Sequence, residues 1–143
     1  MKVLVYGYGL MGKKVAHAVM NDADLELAGV VSPVFDVQPE VPAYKSLDEV
    51  QDDIDAIIDF SSANGFEERM DYAVDKQIPI IVCSTGLSDE QLDYLKEASK
   101  KVAVLKSANM SLGVNLLIKL VKEAAKKLTT EGFDVEIVEK HHN

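Results

Sequence analysis

The sequence predicts an α/β fold, a Rossmann-type doubly wound parallel sheet. Three observations predict it. Short, nearly continuous apolar runs alternate with helix-period segments, the pattern of a parallel sheet covered on both faces. The first run leads straight into Gly7-x-Gly9-x-x-Gly12 and then a helix-compatible stretch. That is the dinucleotide-binding turn in its strand–turn–helix context. The chain has 143 residues, 48% of them hydrophobic, enough for one full core.

The elements follow in order. Val3, Leu4, Val5 and Tyr6 form a first strand. Gly7 permits a sharp turn, Gly9 lets a pyrophosphate approach the backbone, and Gly12 lets the next helix pack closely on the strand. That helix covers about Met11–Asn21, and its N-terminus offers N–H groups and partial positive charge to phosphates. Leu25–Val31 is the second strand. Ser32–Ser46 holds three of the four prolines, Pro33, Pro39 and Pro42, and reads as an extended surface loop. An adenine ribose would sit beside it. Ser46-Leu47-Asp48-Glu49 has the form of a capping box opening a short helix. A third strand, Asp55–Asp59, centres on Ala56, Ile57 and Ile58. A helix over Gly65–Lys76 and a fourth strand, Ile78–Val82, come next. Ser88-Asp89-Glu90-Gln91 is a second capping box, opening a helix over Ser88–Lys100. Val102–Leu105 is the fifth strand. A long helix, about Leu112–Leu128, gathers Leu116, Leu117, Leu120, Val121, Ala124 and Leu128 on one face. Lys119, Lys122, Lys126 and Lys127 lie largely outside it as a solvated face. After Gly132, Phe133, Val135 and Ile137 alternate with Asp134 and Glu136. This predicts a half-exposed, antiparallel-type strand over Phe133–Val138.

Charge excludes some functions. Fifteen basic and 24 acidic residues give a net −9, which disfavours nonspecific nucleic-acid binding and anionic membrane surfaces. Small anionic ligands remain compatible, because glycine turns and helix ends bind phosphate locally. Cys83 is the only cysteine, so no intrachain disulfide forms, and a reducing, cytoplasmic setting is expected. No signal peptide precedes the glycine turn and no apolar run approaches membrane-spanning length.

Ligands of open α/β sheets bind beyond the carboxyl ends of the strands. Four segments fall there: the glycine turn, Asp59-Phe60-Ser61-Ser62, Cys83-Ser84-Thr85-Gly86, and Ser107-Ala108-Asn109-Met110-Ser111. Their small hydroxyl and amide groups suit ribose, phosphate and carboxamide. Any one of them is equally an ordinary turn or cap; four in succession favour a lined nucleotide cleft. Cys83 reads as a small hydrophobe, Asp59 as a turn cap, and His17 as a surface or core-edge residue. His141 and His142 are adjacent, and on an extended strand they point to opposite faces. They make no two-histidine metal clamp, and no metal is expected. One of them suits proton donation toward a cofactor cleft.

These residues together resemble the bacterial dihydrodipicolinate reductases, also called 4-hydroxy-tetrahydrodipicolinate reductases, of lysine biosynthesis. The resemblance is carried by Gly7–Gly12, Ile58-Asp59-Phe60-Ser61, Ser84-Thr85-Gly86, the run Ser107–Asn115, and Glu136–Asn143 with its Glu-x-His-His. It implies NADPH- or NADH-dependent reduction of a cyclic imine dicarboxylate, a small-molecule substrate. It implies cofactor contacts at Gly7, Tyr8, Gly9, Leu10, Met11, Gly12, Cys83, Ser84, Thr85, Ala108, Asn109, Met110 and Ser111. The strand-end reading adds Ser32, Phe60 and Ser61. His141 matches the family's proton donor and His142 a substrate-contacting histidine. The family's catalytic lysine and Asp-Ala-Pro-Ser-Gly-Thr loop do not follow here. The expectation is therefore a truncated chain: a dinucleotide-binding domain over 1–130, and over 131–143 the first strand of a substrate and oligomerisation domain. The full-length form is expected as a homotetramer and this chain as a monomer or dimer, binding nucleotide without turnover. Neither an acid nor an arginine stands at the end of the second strand, near Ser32-Pro33, and Asp36 lies beyond. Lys13 or Lys14 is placed to reach a 2′-phosphate, which tilts the expectation to NADPH. Two alternatives are a non-catalytic nucleotide-binding or redox-sensing module and a related amino-acid dehydrogenase.

Overall fold

A computed structural model describes residues 1–36, 38–51 and 53–138. The chain divides into two compact units, Met1–Ala108 and Asn109–Asn143.

The first unit is a six-stranded, all-parallel sheet. Its strands are β1 (Lys2–Tyr6), β2 (Glu26–Val31), β3 (Ala43–Tyr44), β4 (Ala56–Asp59), β5 (Ile80–Val82) and β6 (Val104–Lys106). They lie in the order β3-β2-β1-β4-β5-β6. Three helices connect them: α1 (Leu10–Met20), α2 (Phe66–Asp75) and α3 (Asp89–Ala98). The continuous apolar runs are explained by which side each residue faces. Leu4 is level with Ile57, and Ile57 with Ile80. These three pack with Phe66, Met70 and Ala73 of α2 and Ala98 of α3. Val5 and Val30, paired across β1 and β2, face the other way and pack on Ala16 of α1. Each fully buried side chain of this size contributes about 1.5–3 kcal/mol. The chain runs outward from β1 to β2 and β3, then returns to β4 on the other side of β1. The order therefore reverses between β1 and β4, where such sheets open a ligand crevice.

The Ser32–Ser46 segment differs from the surface loop that its prolines suggest. It carries β3, which pairs Ala43 with Val30 and Tyr44 with Val31. Pro42 permits this because its carbonyl, accepting from Val30 N–H at 2.9 Å, is the only ladder group it must supply. Two residues are too few to show a period in sequence. The two capping boxes also part company. At Ser88 the box forms: Ser88 Oγ accepts from Gln91 N–H and Gln91 Oε1 accepts from Ser88 N–H, at 3.2 and 3.1 Å. At Ser46 it does not. Leu47–Glu49 is a single 3-10 turn without a side-chain cap, and the Glu49 carboxylate accepts from Lys45 N–H instead, at 2.8 Å. Buried Leu47 anchors that turn in the core.

The second unit contains α4 (Leu112–Thr130). Asn109 Oδ1 accepts from Ser111 N–H, Ser111 Oγ accepts from Val114 N–H, and Asn115 Nδ2 donates to the carbonyls of Asn109 and Ser111. The Asn-x-Ser-x-x-x-Asn spacing thus builds the start of the helix. Its end is a Schellman turn. Gly132 adopts φ +81°, Gly132 N–H donates to Thr129 O, and Phe133 N–H donates to Leu128 O. The apolar stripe is present as the spacing predicts, but no α4 residue is buried. Phe133–Val138, expected as a strand, forms none among the described residues. A strand exists only through ladder bonds to a neighbour, and alternation alone supplies no neighbour.

Among the described residues no helix is long and apolar enough to cross a membrane, and no cluster of His, Cys, Asp and Glu has metal-binding form.

Candidate functional site

The glycine turn is built by two contacts within the protein and one open space. Gly7 sits at φ +89°, and a Cβ there would lie 2.7 Å from Ser61 N. The turn after β1 is therefore pressed against the loop after β4. A Cβ on Gly12 would lie 1.7 Å from Gly7 O. The helix start thus abuts the turn itself, rather than the strand as the motif alone suggests. Gly9 is different: a Cβ there would meet nothing within 4 Å, and its φ of −77° suits any residue. The fold makes no demand for glycine at this position, and the space beside it is open. Gly9 is also the N-cap of α1, and no side chain caps the first turn. The helix end therefore presents its N–H groups and dipole outward.

A crevice of about 440 Å³ opens at this point, lined by Tyr6, Gly7, Tyr8, Gly9, Ser32, Pro33, Phe60, Ser61, Ser62, Asn64 and Arg69. It joins the tips of β2, β1 and β4. Six of the sequence candidates meet here: Gly7, Tyr8, Gly9, Ser32, Phe60 and Ser61. Leu10 and Met11 are exposed at the start of α1, and Gly12 is buried beneath them. Tyr8 packs edge-on against Phe35, with ring centres 5.8 Å apart, and Lys13 Nζ lies 5.8 Å from the Tyr8 ring centre. Lys13 therefore stands on the far side of Tyr8 from the crevice, in a neighbouring depression shared with Pro39, Glu40 and Val41.

Beneath the crevice lies a buried charge network. Asp59 is fully buried and Arg69 is 2% exposed. Asp59 Oδ1 accepts from Ser61 N–H at 2.8 Å and Ser61 Oγ at 2.5 Å, so the carboxylate caps the turn after β4 as expected. Asp59 Oδ2 accepts from Arg69 Nε at 2.9 Å and Ser84 Oγ at 3.1 Å. The Arg69 guanidinium lies over the Tyr6 ring, 4.9 Å from its centre. No buried side-chain polar atom among the described residues lacks a partner, which is the condition for a buried ion pair to be tolerated.

Cys83 and Ser84 are buried at the tip of β5, and Thr85 next to them is exposed. Burial, reinforced by the Asp59 carboxylate, pushes the Cys83 thiol up to about 11. At neutral pH it is a small apolar group, not a nucleophile. Iodoacetamide at pH 7.5 is expected to alkylate the native chain about 100-fold more slowly than the urea-unfolded chain; equal rates would show an exposed thiolate. The unfolded thiol ionises first, so its contribution to stability is full below the ordinary thiol value of 9.0 and fades as the pH climbs through about 11.

Ala108 is exposed at the end of the first unit, and Asn109, Met110 and Ser111 are exposed in the second. His141 and His142 lie outside the described residues. His17 is exposed on α1. Sequence reading placed Ser62 and Pro33 at strand ends without assigning them a contact, and missed Tyr6, Asn64 and Arg69. Only Arg69 carried a signal: it shares a helical stripe with Phe66, Met70 and Ala73, all buried.

Comparison with known proteins places this geometry. Residues 1–110 match the family model described as dihydrodipicolinate reductase, N-terminus. A 4-hydroxy-tetrahydrodipicolinate reductase of Caldanaerobacter subterraneus subsp. tengcongensis is 45% identical over 144 residues, covering 99% of this chain and 56% of that protein. The Clostridium tetani reductase of the same name is 34% identical over 141 residues, covering 99% of this chain and 55% of its own length. The chain thus spans about half the length of these curated relatives. Among solved structures, dipicolinate-bound dihydrodipicolinate reductase from Paenisporosarcina sp. TG-14 aligns with TM-score 0.73 at 24% identity, over 87% of this chain and 53% of that one. A myo-inositol 2-dehydrogenase from Lactobacillus plantarum aligns with TM-score 0.67 at 14% identity, over 88% of this chain and 42% of that one. The structural likenesses show a shared fold.

Proposed function

We propose a function from a plain premise: the chain belongs to the dihydrodipicolinate reductase family, whose N-terminal-domain model it matches. It holds the pyridine nucleotide for reduction of 4-hydroxy-tetrahydrodipicolinate to tetrahydrodipicolinate, in lysine and diaminopimelate biosynthesis. The reduced nicotinamide supplies the hydride, and the protein orients it. Gly7–Gly12 and the α1 N-terminus hold the pyrophosphate. Ser32, Phe60 and Ser61 border the adenosine half. Cys83–Thr85 and Ala108–Ser111 serve the remainder. His141 is the proton donor and His142 a substrate contact. Residues 1–130 form the nucleotide part and 131–143 begin the substrate part. The whole enzyme is a cytoplasmic homotetramer. This chain, which spans about half the length of its relatives, carries the nucleotide-binding part of that activity.

One observation carries this reading: Gly9 is a glycine that the fold does not require, facing empty space at an uncapped helix start. Gly9→Ala is therefore expected to change stability by no more than about 1 kcal/mol and to weaken NADH and NADPH by at least about tenfold through collision with the pyrophosphate. Calorimetric titration and thermal melting check it. Unchanged affinity, or no nucleotide binding by the unsubstituted chain, removes the reading.

The preferred nucleotide is NADPH. Support comes from Lys13 beside the Tyr8 ring and from the missing carboxylate at the tip of β2. Lys13→Glu is expected to weaken NADPH about tenfold or more relative to NADH, since a charge-assisted contact is worth about 1.5–3 kcal/mol. Parallel titrations of both nucleotides check it; an unchanged ratio refutes the role of Lys13.

A further inference from the structure

The crevice has a charged side chain in its floor that phosphate and ribose recognition leaves unexplained. Arg69 borders the crevice although it is 2% exposed. Its three nitrogens reach three different places. Nε donates to Asp59 Oδ2 at 2.9 Å, Nη1 to the Asn64 carbonyl at 2.7 Å, and Nη2 to the Ser62 carbonyl at 2.6 Å. Ser62 and Asn64 belong to the crevice wall, which has neither helical nor strand structure. No ladder or helix fixes the wall's shape, so side-chain bonds must do it: those of Arg69 hold the Ser62 and Asn64 carbonyls, and Gln91 Nε2 donates to the Ala63 carbonyl between them at 3.0 Å. Asp59 extends the same hold. One of its oxygens caps Ser61, and the other binds Ser84 Oγ at the tip of β5. One carboxylate thus ties two neighbouring strand tips together, and one guanidinium ties the intervening loop to that carboxylate.

We propose that Arg69, anchored by Asp59, is a positioning residue for nucleotide binding, holding the Ser61–Asn64 wall in shape for the adenosine half before the ligand arrives. This rests on the nucleotide-binding reading above. The adenosine half is indicated because the crevice also contains Ser32 and Pro33 at the tip of β2, the ribose side of this architecture. A wall ordered in advance removes an ordering cost from binding. A lysine is no substitute: its charge sits on one nitrogen, which cannot span a carboxylate and two separate carbonyls as a planar fork does.

The test titrates the 143-residue chain and its Arg69→Lys variant with ADP and with NADH, by calorimetry, at a temperature where circular dichroism shows both folded. The variant is expected to bind both ligands at least about tenfold more weakly. Arg69 acting only as a countercharge for Asp59 would be rescued by lysine, so a folded Arg69→Lys with unchanged Kd overturns the proposal. Nuclear magnetic resonance of the unsubstituted chain gives a second readout, independent of whether the variant folds. The Arg69 Nε–H signal and the Ser61, Ser62 and Asn64 amides are expected to shift as ADP is added. Bound ADP with all four unmoved overturns the proposal while leaving the nucleotide reading intact. Failure of the unsubstituted chain to bind ADP or NADH overturns that reading, and this inference with it.

Discussion

Gly12→Ala is expected to lower the melting temperature by about 10 °C and to abolish nucleotide binding. The added Cβ would stand 1.7 Å from the Gly7 carbonyl oxygen. That oxygen is backbone and cannot rotate aside. Gly7 is held in turn by its own N–H, which donates to Val31 O at 2.8 Å, and by its close approach to Ser61. Relief requires moving the start of α1 away from the turn, or moving the tip of β1 within the sheet. Either displacement opens the contact of Ala16 with Val5 and Val30. Overpacking of this kind costs about 3 kcal/mol, which for a chain of this size corresponds to about 3 °C per kcal/mol. Binding fails for a separate reason, because the helix end no longer faces the space beside Gly9. Thermal melting and calorimetric titration check both effects. A Gly12→Ala protein melting within a few degrees of the unsubstituted chain would show that the turn is not built as described.

The contrast with Gly9→Ala shows what the motif contains. The three glycines look alike in sequence, yet two answer to contacts within the protein and one does not. Gly7 needs its positive φ, Gly12 needs a missing Cβ, and Gly9 needs neither. The spacing announced the turn and its ligand class, but only packing separates these roles. The sheet was legible for a similar reason. Val3, Leu4 and Val5 are consecutive and all buried, which only a doubly covered strand explains. β3 was not legible, because Ala43 and Tyr44 carry no period and follow Pro42. Phe133–Val138 has a period but no partner among the described residues. Part of the crevice was written in small residues at strand ends, Ser32 and Ser61 among them. Ser62 was legible only as part of its segment and Asn64 not at all, because both meet Arg69 through their carbonyls, which every residue has. What fixes those carbonyls is Arg69, ten positions along from Asp59, and no local spacing marks that partnership.

The Asp59–Arg69 pair is expected to dominate the stability of the first unit. Asp59→Ala leaves a guanidinium buried without its counterion, and stranding one member of a buried pair costs about 3–5 kcal/mol. Arg69→Met is expected to cost less, about 2–3 kcal/mol, for a structural reason. Asp59 would keep the bonds from Ser61 N–H, Ser61 Oγ and Ser84 Oγ. The Asn64 and Ser62 carbonyls that Arg69 releases stand at the crevice wall, where water can replace the lost donors. The double substitution Asp59→Ala/Arg69→Met removes both charges and is expected to lie close to Asp59→Ala, well short of the sum of the single losses. Urea unfolding of the four proteins gives the coupling energy, expected at about 2 kcal/mol or more for groups in one network. Additive losses would mean that the two charges are held independently, and the carboxylate would then be a local cap for Ser61 with no hold on α2. A large coupling would instead make the pair a single device. Through it, the helix that fills the core with Phe66 and Met70 also shapes the loop facing the ligand, so that core packing and the binding crevice share one set of bonds.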